Sequence, residues 1–265
     1  MKKTYPLFSM FLLSLIGLIL LIPLIVTFIY SVFVEWTSIL PSDFTIRYYI
    51  ELFSTSEFML AIVRSILISF ISVCICTVVL LGVLYVMYLY LPCIEQYVEI
   101  ICNIPYALQG VVLAVGILSL YAGVQGIFSN RVLILIGAYC IMILPYVYRG
   151  LKNTIDGVPV KCMIESAQVL GCSKVYGFIR IIIPQMKNGI LSTMVLAFAM
   201  IFADFALVNI IAGSSFQTVG IFLYQTMSKS GQLSSTVIVI LFMITLGISS
   251  MTFIIQDKFQ GKRSR

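Results

Sequence analysis

Long apolar runs without charge dominate the hydropathy pattern of the chain. Four stretches between consecutive charged residues are each longer than the roughly 20 apolar residues that a helix needs to cross a bilayer. These stretches run from Lys3 to Glu35, from Arg64 to Glu95, from Glu99 to Arg131 and from Lys229 to Asp257. They predict membrane-spanning helices over about 8–33, 66–90, 100–122 and 231–256.

Two further spans are less regular. Residues 132–148 form a short uncharged run that contains Pro145, and residues 188–212 form a long run interrupted only by Asp204. The sequence therefore predicts an all-α membrane protein with six transmembrane helices. It also predicts one polar loop, residues 150–187, between helices 4 and 5.

Composition agrees with this class, because 61% of residues are hydrophobic and 10% are charged, against about 45–50% and about 25% in soluble domains. The first run is too long for the 7–15-residue apolar core of a secretory signal, and no small-residue cleavage site follows it. We therefore interpret it as a transmembrane helix.

The distribution of Lys and Arg predicts the orientation, because cytoplasmic loops carry their excess. With the N-terminus inside, twelve of these residues are cytoplasmic and four are external: Arg47, Arg64, Arg131 and Lys229. Both termini are then expected in the cytoplasm. The excess of Lys and Arg in the cytoplasmic segments accounts for the net charge of +6. No basic patch alternates with exposed aromatics, so we expect no nucleic-acid partner.

Metal and disulfide chemistry have few candidates in this sequence. There is no histidine, and the seven cysteines form no CxxC pair. We expect no disulfides and no zinc or haem site, and we interpret the cysteines as small apolar fillers.

The loop between spans 4 and 5 has the pattern of two short amphipathic helices. Apolar residues recur at helical spacing in each half, and Gly171 and Ser173 between them suit a helix C-terminus and an N-cap. The first stripe comprises Val160, Met163, Ile164, Ala167 and Leu170, and the second Val175, Phe178, Ile179, Ile182 and Ile183, up to Pro184. Such a helix either lies on the lipid surface or docks into a groove on a partner.

Helix-breaking and polar residues inside the spans suggest a path through the membrane. The third span opens with CNIPYALQG, which contains Asn103, Pro105, Gln109 and Gly110. Such breaks are tolerated where protein or a water-lined cavity covers the freed backbone groups. The alternative for each position is a packing kink with small residues at a close helix contact.

Asp204 is the carboxylate within a predicted span. If helix 5 continues to Gly213, Asp204 lies roughly 13 Å below its outer end, at a cost of about 2.5–3.5 kcal/mol. Two interpretations stay open. Asp204 accepts hydrogen bonds from a neighbouring helix or is protonated, or it faces a translocation path together with Asn209 and attracts a cation.

The loop resembles a motif of permease subunits from type I ATP-binding-cassette importers, which reads E-A-A, three residues, G, nine residues, I-x-L-P. Here the matching residues are Glu165, Ser166, Ala167, Gly171, Ile181, Ile183 and Pro184, with every spacing kept. Ser166 replaces an alanine and Ile183 a leucine. The similarity extends over nearly the whole chain, so that residues 1–265 are expected to form a single permease domain.

The resemblance implies that the helix before Gly171 is a coupling helix, seated on a cytoplasmic ATPase. It also implies an ATPase dimer, a second permease subunit, an extracytoplasmic solute-binding protein and a location in the inner membrane. The chain lacks a phosphate-binding loop: GCSK at 171–174 and GKR at 261–263 miss essential positions. ATP and Mg²⁺ are therefore expected on the partner ATPase, and this chain is expected to bind no cofactor and to be no enzyme.

The stretches ILPYVYRGLKNTID, LAFAMIFADFALVNIIAG and TVGIFLYQTM resemble permeases for polyamines, phosphonates and ferric iron. Polyamine relatives often carry Asp at the position of Asp204, before Phe205. Gln109 and Gly220 stand where these relatives often have proline. The resemblance favours a spermidine- or putrescine-like substrate, with 2-aminoethylphosphonate or ferric iron as alternatives.

Two other function classes are also considered. A secondary transporter or channel would be expected to show inverted repeats and several intramembrane ionisable groups, and only Asp204 qualifies. A membrane scaffold or lipid-modifying enzyme would need a catalytic constellation, and the sequence provides no histidine or carboxylate cluster for one.

Overall fold

A computed structural model of the chain describes residues 7–34, 43–108, 110–121, 130–213 and 216–261. The described residues are almost entirely helical, and the β-structure among them is one bridge between Phe33 and Phe44. The chain forms two compact units, Met1–Met59 with Phe222–Ile244 and Leu60–Ile221 with Thr245–Arg265.

Twelve α-helices are present in the described residues, and some of them are joined by short 3₁₀ or π segments. The helices are α1 (Leu7–Ser31), α2 (Arg47–Ser54), α3 (Ser56–Leu89), α4 (Glu95–Asn103), α5 (Val111–Tyr121), α6 (Arg131–Asp156), α7 (Val160–Val169), α8 (Lys174–Gly177), α9 (Ile183–Phe202), α10 (Ala206–Ile211), α11 (Val219–Met227) and α12 (Gly231–Gly261). Short 3₁₀ segments precede and follow α4, and a π turn, Phe178–Ile182, joins α8 to α9.

Five helices among the described residues are long and apolar enough to cross a membrane, and a sixth span results if the bent pair Pro92–Leu108 and Val111–Tyr121 is counted as one. The predicted all-α membrane class is confirmed. Helix α3 has 34 residues and is about 51 Å long at 1.5 Å per residue, longer than the hydrocarbon core. The apolar run that predicted it covers only its second part.

The first unit contains α1, α2, the start of α3, the end of α11 and the first part of α12. The Ser31 hydroxyl is 2.8 Å from the Tyr49 hydroxyl, and Thr236 donates to the Ser31 carbonyl at 3.4 Å. The Phe58 and Phe222 rings pack with centroids 5.1 Å apart. Most of α1 is exposed and apolar, as expected for a helix that faces lipid.

The third span is not the straight helix that the uncharged run suggested. Its two halves meet at 101°, after the 3₁₀ segment Ile104–Leu108 that contains Pro105. Gly110 has a φ of 67°, a value that glycine adopts without steric cost. Proline and a left-handed glycine within six residues together explain the bend.

The fifth span also differs from the expected 188–212. One apolar span runs from Lys174 to Phe202 and continues through Pro184, the second residue of α9, directly after the π turn. The π turn before it absorbs the change of helical register. The helix then ends at Phe202, so Asp204 lies in a break between α9 and α10 and not within a continuous helix.

Helices α6 and α9 approach each other through two reciprocal glycine–threonine contacts. A Cβ placed on Gly150 would lie 2.3 Å from Thr193 Oγ1, and one on Gly189 would lie 2.2 Å from Thr154 Oγ1. Each threonine hydroxyl donates to the carbonyl four residues earlier, Thr154 to Gly150 at 2.7 Å and Thr193 to Gly189 at 2.8 Å. These bonds fix the threonine rotamers, so neither glycine tolerates a side chain.

We expect Gly189→Ala to lower the Tm of the detergent-solubilised protein, because overpacking a tight contact costs about 1–3 kcal/mol. Gly137→Ala on α6 is the matched control, because nothing lies within 4 Å of the added Cβ. Adding Thr154→Gly to Gly189→Ala removes the obstructing side chain and should recover part of the loss. Equal Tm values for Gly189→Ala and Gly137→Ala would contradict the contact.

Candidate functional site

Helix α7 is joined to the end of α6 by a connection of three residues, 157–159. The Val158 N–H donates to the Ile155 carbonyl at 2.9 Å and the Val160 N–H to the Val158 carbonyl at 2.7 Å. These two bonds restrict the movement of α7 relative to α6. Val160, Ile164 and Ala167 are buried along one face of α7. This face contains three of the five residues of the predicted amphipathic stripe, and it anchors the helix to the rest of the second unit.

The C-terminus of α7 is a Schellman motif. The Gly171 N–H donates to the Gln168 carbonyl at 2.9 Å and the Cys172 N–H to the Ala167 carbonyl at 3.0 Å. Gly171 has a φ of 81°, which confirms the left-handed conformation predicted from the sequence. Nothing lies within 4 Å of a Cβ added at Gly171, so backbone conformation, and not space, selects glycine here.

Helix α8 begins immediately after this turn and crosses α7 closely. The Ser173 hydroxyl accepts a hydrogen bond from the Tyr176 N–H at 3.2 Å, so the predicted N-cap is confirmed. A Cβ on the buried Gly177 would lie 2.9 Å from Ile164 Cδ1. The two helices thus form a compact hairpin, in which Gly177 packs against Ile164 and Ala167.

The outer surface of the hairpin carries the polar motif residues and an apolar tip. Glu165 and Ser166 are exposed, and the Ser166 hydroxyl donates to the Cys162 carbonyl at 2.8 Å. Val169 and Leu170 are 88% and 83% exposed. The sequence pattern predicts Leu170 on the buried stripe with Ala167, and this prediction is wrong, because the left-handed turn at Gly171 ends the helix before the Leu170 side chain reaches that face.

The last three motif residues lie where α8 continues into α9. Ile181 is in the π turn, and Ile183 and Pro184 open α9. Ile181 and Ile183 are half-buried and Pro184 is exposed, whereas the neighbouring Phe178 and Ile182 are buried. The motif residues therefore lie on the exposed part of α7, in the turn that follows it and at the entry into a membrane span.

Asp204 and Asn209 lie at the break between α9 and α10. Asp204 Oδ2 accepts a hydrogen bond from the Leu207 N–H at 3.1 Å and one from the Tyr139 hydroxyl at 3.4 Å. Asp204 is half-buried, and Asn209 on α10 is exposed. The carboxylate thus accepts hydrogen bonds from backbone that the broken helix leaves free and from Tyr139 on the neighbouring α6, and these contacts are compatible with both interpretations left open by the sequence.

Gly220 is required at this break by a close backbone approach. A Cβ added to it would lie 2.5 Å from the Asp204 carbonyl oxygen and 3.2 Å from Phe205 Cα. The adjacent Val219 N–H donates to the buried Ser65 hydroxyl at 2.9 Å. The start of α11 is therefore fixed against both α3 and the break, which explains glycine at position 220.

Asn103 is part of a second group, on α4 and α6. The Arg149 guanidinium donates to Asn103 Oδ1 at 3.1 Å and lies 5.0 Å from the centre of the Tyr106 ring. The Tyr106 and Tyr146 rings are 5.0 Å apart. The structure thus places the candidate path residues in two groups, one at Asp204 and one at Asn103, while Gln109 lies outside the described residues.

Metal ligands do not cluster in the described part of the chain. No group of three or more His, Cys, Asp or Glu side chains there is arranged to hold a metal ion, and all seven cysteines are free thiols. Cys76, Cys102 and Cys140 fill buried or half-buried positions between helices.

Several residues of these sites were missed in the sequence analysis. Tyr139 and Arg149 bond to residues more than 40 positions away, a separation that no local pattern reveals. Gly177 and Gly220 are required because a side chain at either position would collide with a residue of another segment, and the sequence does not show which segment lies nearby. The spacing of Gly150 with Thr154, repeated at Gly189 with Thr193, is a small-residue pattern typical of close helix contacts and was a readable signal.

Comparisons with solved structures show the same fold in three transporters. A bacterial ABC transporter involved in the import of the acidic polysaccharide alginate matches with a TM-score of 0.73 and 15% identity, over 95% of this chain and 95% of that chain. The methionine ABC transporter MetNI, in inward-facing conformations, has a TM-score of 0.61 and 16% identity, over 74% and 92%. An amino acid ABC transporter has a TM-score of 0.57 and 16% identity, over 81% and 99%.

No curated protein matches the sequence at a significant level. The family described as "Binding-protein-dependent transport system inner membrane component" matches residues 79–260, which include α4 to α11 and both candidate sites. This multi-pass membrane protein therefore belongs to the family of inner-membrane components of binding-protein-dependent transport systems.

Proposed function

We propose that the chain is the permease subunit of an ABC importer, in which α7 is the coupling helix that docks on a cytoplasmic ATPase. The observation that carries this proposal is the apolar tip of the hairpin. Val169 and Leu170 are almost fully exposed, beside a helix whose opposite face is buried. Leaving two neighbouring apolar side chains in water is unfavourable, and a groove on a partner would cover them.

The rigidity of the hairpin supports the same role. A helix that transmits force must not rotate freely on its support. The Schellman turn at Gly171, the Ser173 cap and the contact of Gly177 with Ile164 hold α7 in one orientation. Family membership favours this role over a secondary transporter or channel.

The proposal includes partners that supply what this chain lacks. ATP and Mg²⁺ would be bound by the ATPase dimer, since the sequence has no phosphate-binding loop. A second permease subunit would complete the path, and an extracytoplasmic binding protein would deliver solute. One of the similar structures is a transporter in complex with a ligand-bound periplasmic protein, which agrees with this arrangement.

We further propose a cationic, polyamine-like solute. Asp204 supports this choice, because its carboxylate lies at a helix break within the membrane-spanning part of the chain and is only half-buried. The carboxylate accepts hydrogen bonds from the Leu207 and Val208 N–H groups and from the Tyr139 hydroxyl, which leaves about one of its roughly four lone-pair sites for a passing ammonium group. Asn103 is a weaker candidate for contact with this solute, because the Arg149 guanidinium that donates to it would repel a cation.

Gly171→Val should uncouple the transporter, because a β-branched residue at a φ of 81° is strained by about 1–2 kcal/mol or more. We expect less co-purified ATPase and slower ATP-driven uptake, with normal membrane insertion. Gly171→Asn is the matched control, because asparagine tolerates the left-handed conformation, and it should behave close to the native protein. Full ATPase binding by Gly171→Val would contradict the coupling role.

Reporter insertions test the proposed orientation. An insertion at Gly157, between α6 and α7, or a fusion at the C-terminus should lie in the cytoplasm, and insertions near Asp43 or Lys229 should lie outside. Lys187 is unsuitable as an insertion point, because it lies within α9. Fluorescence of GFP and activity of alkaline phosphatase report the two sides, and reversal of either pair would overturn the topology.

Asp204→Asn tests the charge in the path. Asparagine keeps the capping oxygen but removes the charge, so uptake of radiolabelled spermidine should fall about tenfold, as expected for the loss of about 1.4 kcal/mol. Assembly with the ATPase should persist. Asp204→Leu removes the cap as well and should lower the Tm. Normal uptake by Asp204→Asn would exclude a role for the charge, and failure of that variant to accumulate would indicate a purely structural one.

A further inference from the structure

A cluster of four polar side chains joins the end of α6 to α3 and α4, outside both sites described above. The Lys152 ammonium contacts Glu95 Oε1 and lies 3.5 Å from Asp156 Oδ2. The Tyr88 hydroxyl donates to Asp156 Oδ1, and the Lys152 ammonium lies 5.9 Å from the centre of the Tyr88 ring. We call Tyr88, Glu95, Lys152 and Asp156 the stem cluster.

The position of the stem cluster ties it to the coupling hairpin. Asp156 is the last residue of α6, and three residues separate it from α7. The hydrogen bonds of that short connection, from Val158 to Ile155 and from Val160 to Val158, limit independent movement. A displacement of α7 must therefore displace the carboxylate of Asp156 and, one turn earlier, Lys152.

On the other side, the cluster connects to the bent third span. Glu95 is the first residue of α4, and Asn103, its last residue, accepts a hydrogen bond from Arg149 at 3.1 Å. Helix α4 is thus bound to α6 at both of its ends. Because α4 leads into the 101° bend before α5, a movement of the α6 end is passed to the bent span.

The burial of the cluster argues against a purely structural role. The Lys152 side chain is 18% exposed, whereas Glu95 and Asp156 are 46% and 49% exposed. If Lys152 loses its charge, both carboxylates remain in contact with water, so no buried charge is left unpaired. A polar connection also re-forms readily after small displacements, whereas a packed apolar contact resists them.

We propose that the stem cluster is a positioning unit that transmits the movement of α7 to α4 and the bent third span. This inference rests on the proposed coupling role of α7. Lys152 and Glu95 contact neither solute nor nucleotide in this scheme, and they act through the helices that they join.

Hydrogen–deuterium exchange on the complete transporter in nanodiscs tests the inference without a known solute. The complex with its cognate ATPase is measured with and without ATP plus vanadate. In the native complex, exchange should change both at 160–173, which contains α7, and at 104–108, before the bend. Lys152→Met should keep the change at 160–173 and reduce that at 104–108 about fivefold or more, the lower range of typical coupling between sites.

The control variants separate the possible outcomes. Lys229→Met removes an exposed lysine elsewhere in the chain and should leave both changes intact. The charge-swapped double variant Lys152→Glu with Glu95→Lys retains one ammonium group and two carboxylates in the cluster. It should restore the response at 104–108. An unaltered response at 104–108 in Lys152→Met, or no restoration of that response in the charge-swapped double variant, would overturn the inference. Absence of any ATPase-dependent change at 160–173 in the native complex would instead overturn the proposed coupling role.

Discussion

The close contact of α6 with α9 is the constraint on which the second unit depends. Gly150 and Gly189 each receive a threonine of the opposite helix, and each threonine is fixed by a hydrogen bond within its own helix. The α7–α8 hairpin is inserted between these two helices in the chain. Because α6 and α9 cannot slide past each other without a steric clash between these threonines and the opposite helix, they give the hairpin a stiff base.

Irregular backbone in the spans is found where side chains or glycine satisfy its requirements. At the α9–α10 break, Asp204 accepts from the Leu207 N–H, and Gly220 permits another segment to pass within contact distance of its carbonyl. At the bend of the third span, Gly110 takes a left-handed conformation. A lipid-facing break would leave unpaired groups in hydrocarbon, so these breaks indicate protein- or water-lined surroundings, as a translocation path requires.

The proposed docking tip and the stem cluster lie at opposite ends of one mechanical connection. Val169 and Leu170 are available to a partner, Val160 and Ile164 hold the hairpin to the unit, and Lys152 with Glu95 carries the connection to α4. The buried apolar contacts of α7 hold the hairpin in place, whereas the ion pair between Lys152 and Glu95 can re-form after a small movement of the helices. Such a division is consistent with the proposed transmission of movement from α7 to α4.

The sequence by itself determined the class, the presence of the apolar spans, the amphipathic α7 and the conformations of Gly171 and Ser173. These features depend on interactions between residues a few positions apart, which hydrophobic periodicity and capping chemistry report directly. The tertiary structure alone decided that the fifth span runs through Pro184 and stops before Asp204, that Leu170 is exposed, and that Lys152 meets Glu95. Each of these features depends on which helices pack against one another. The order of apolar and polar residues along the chain does not show which distant segments come into contact.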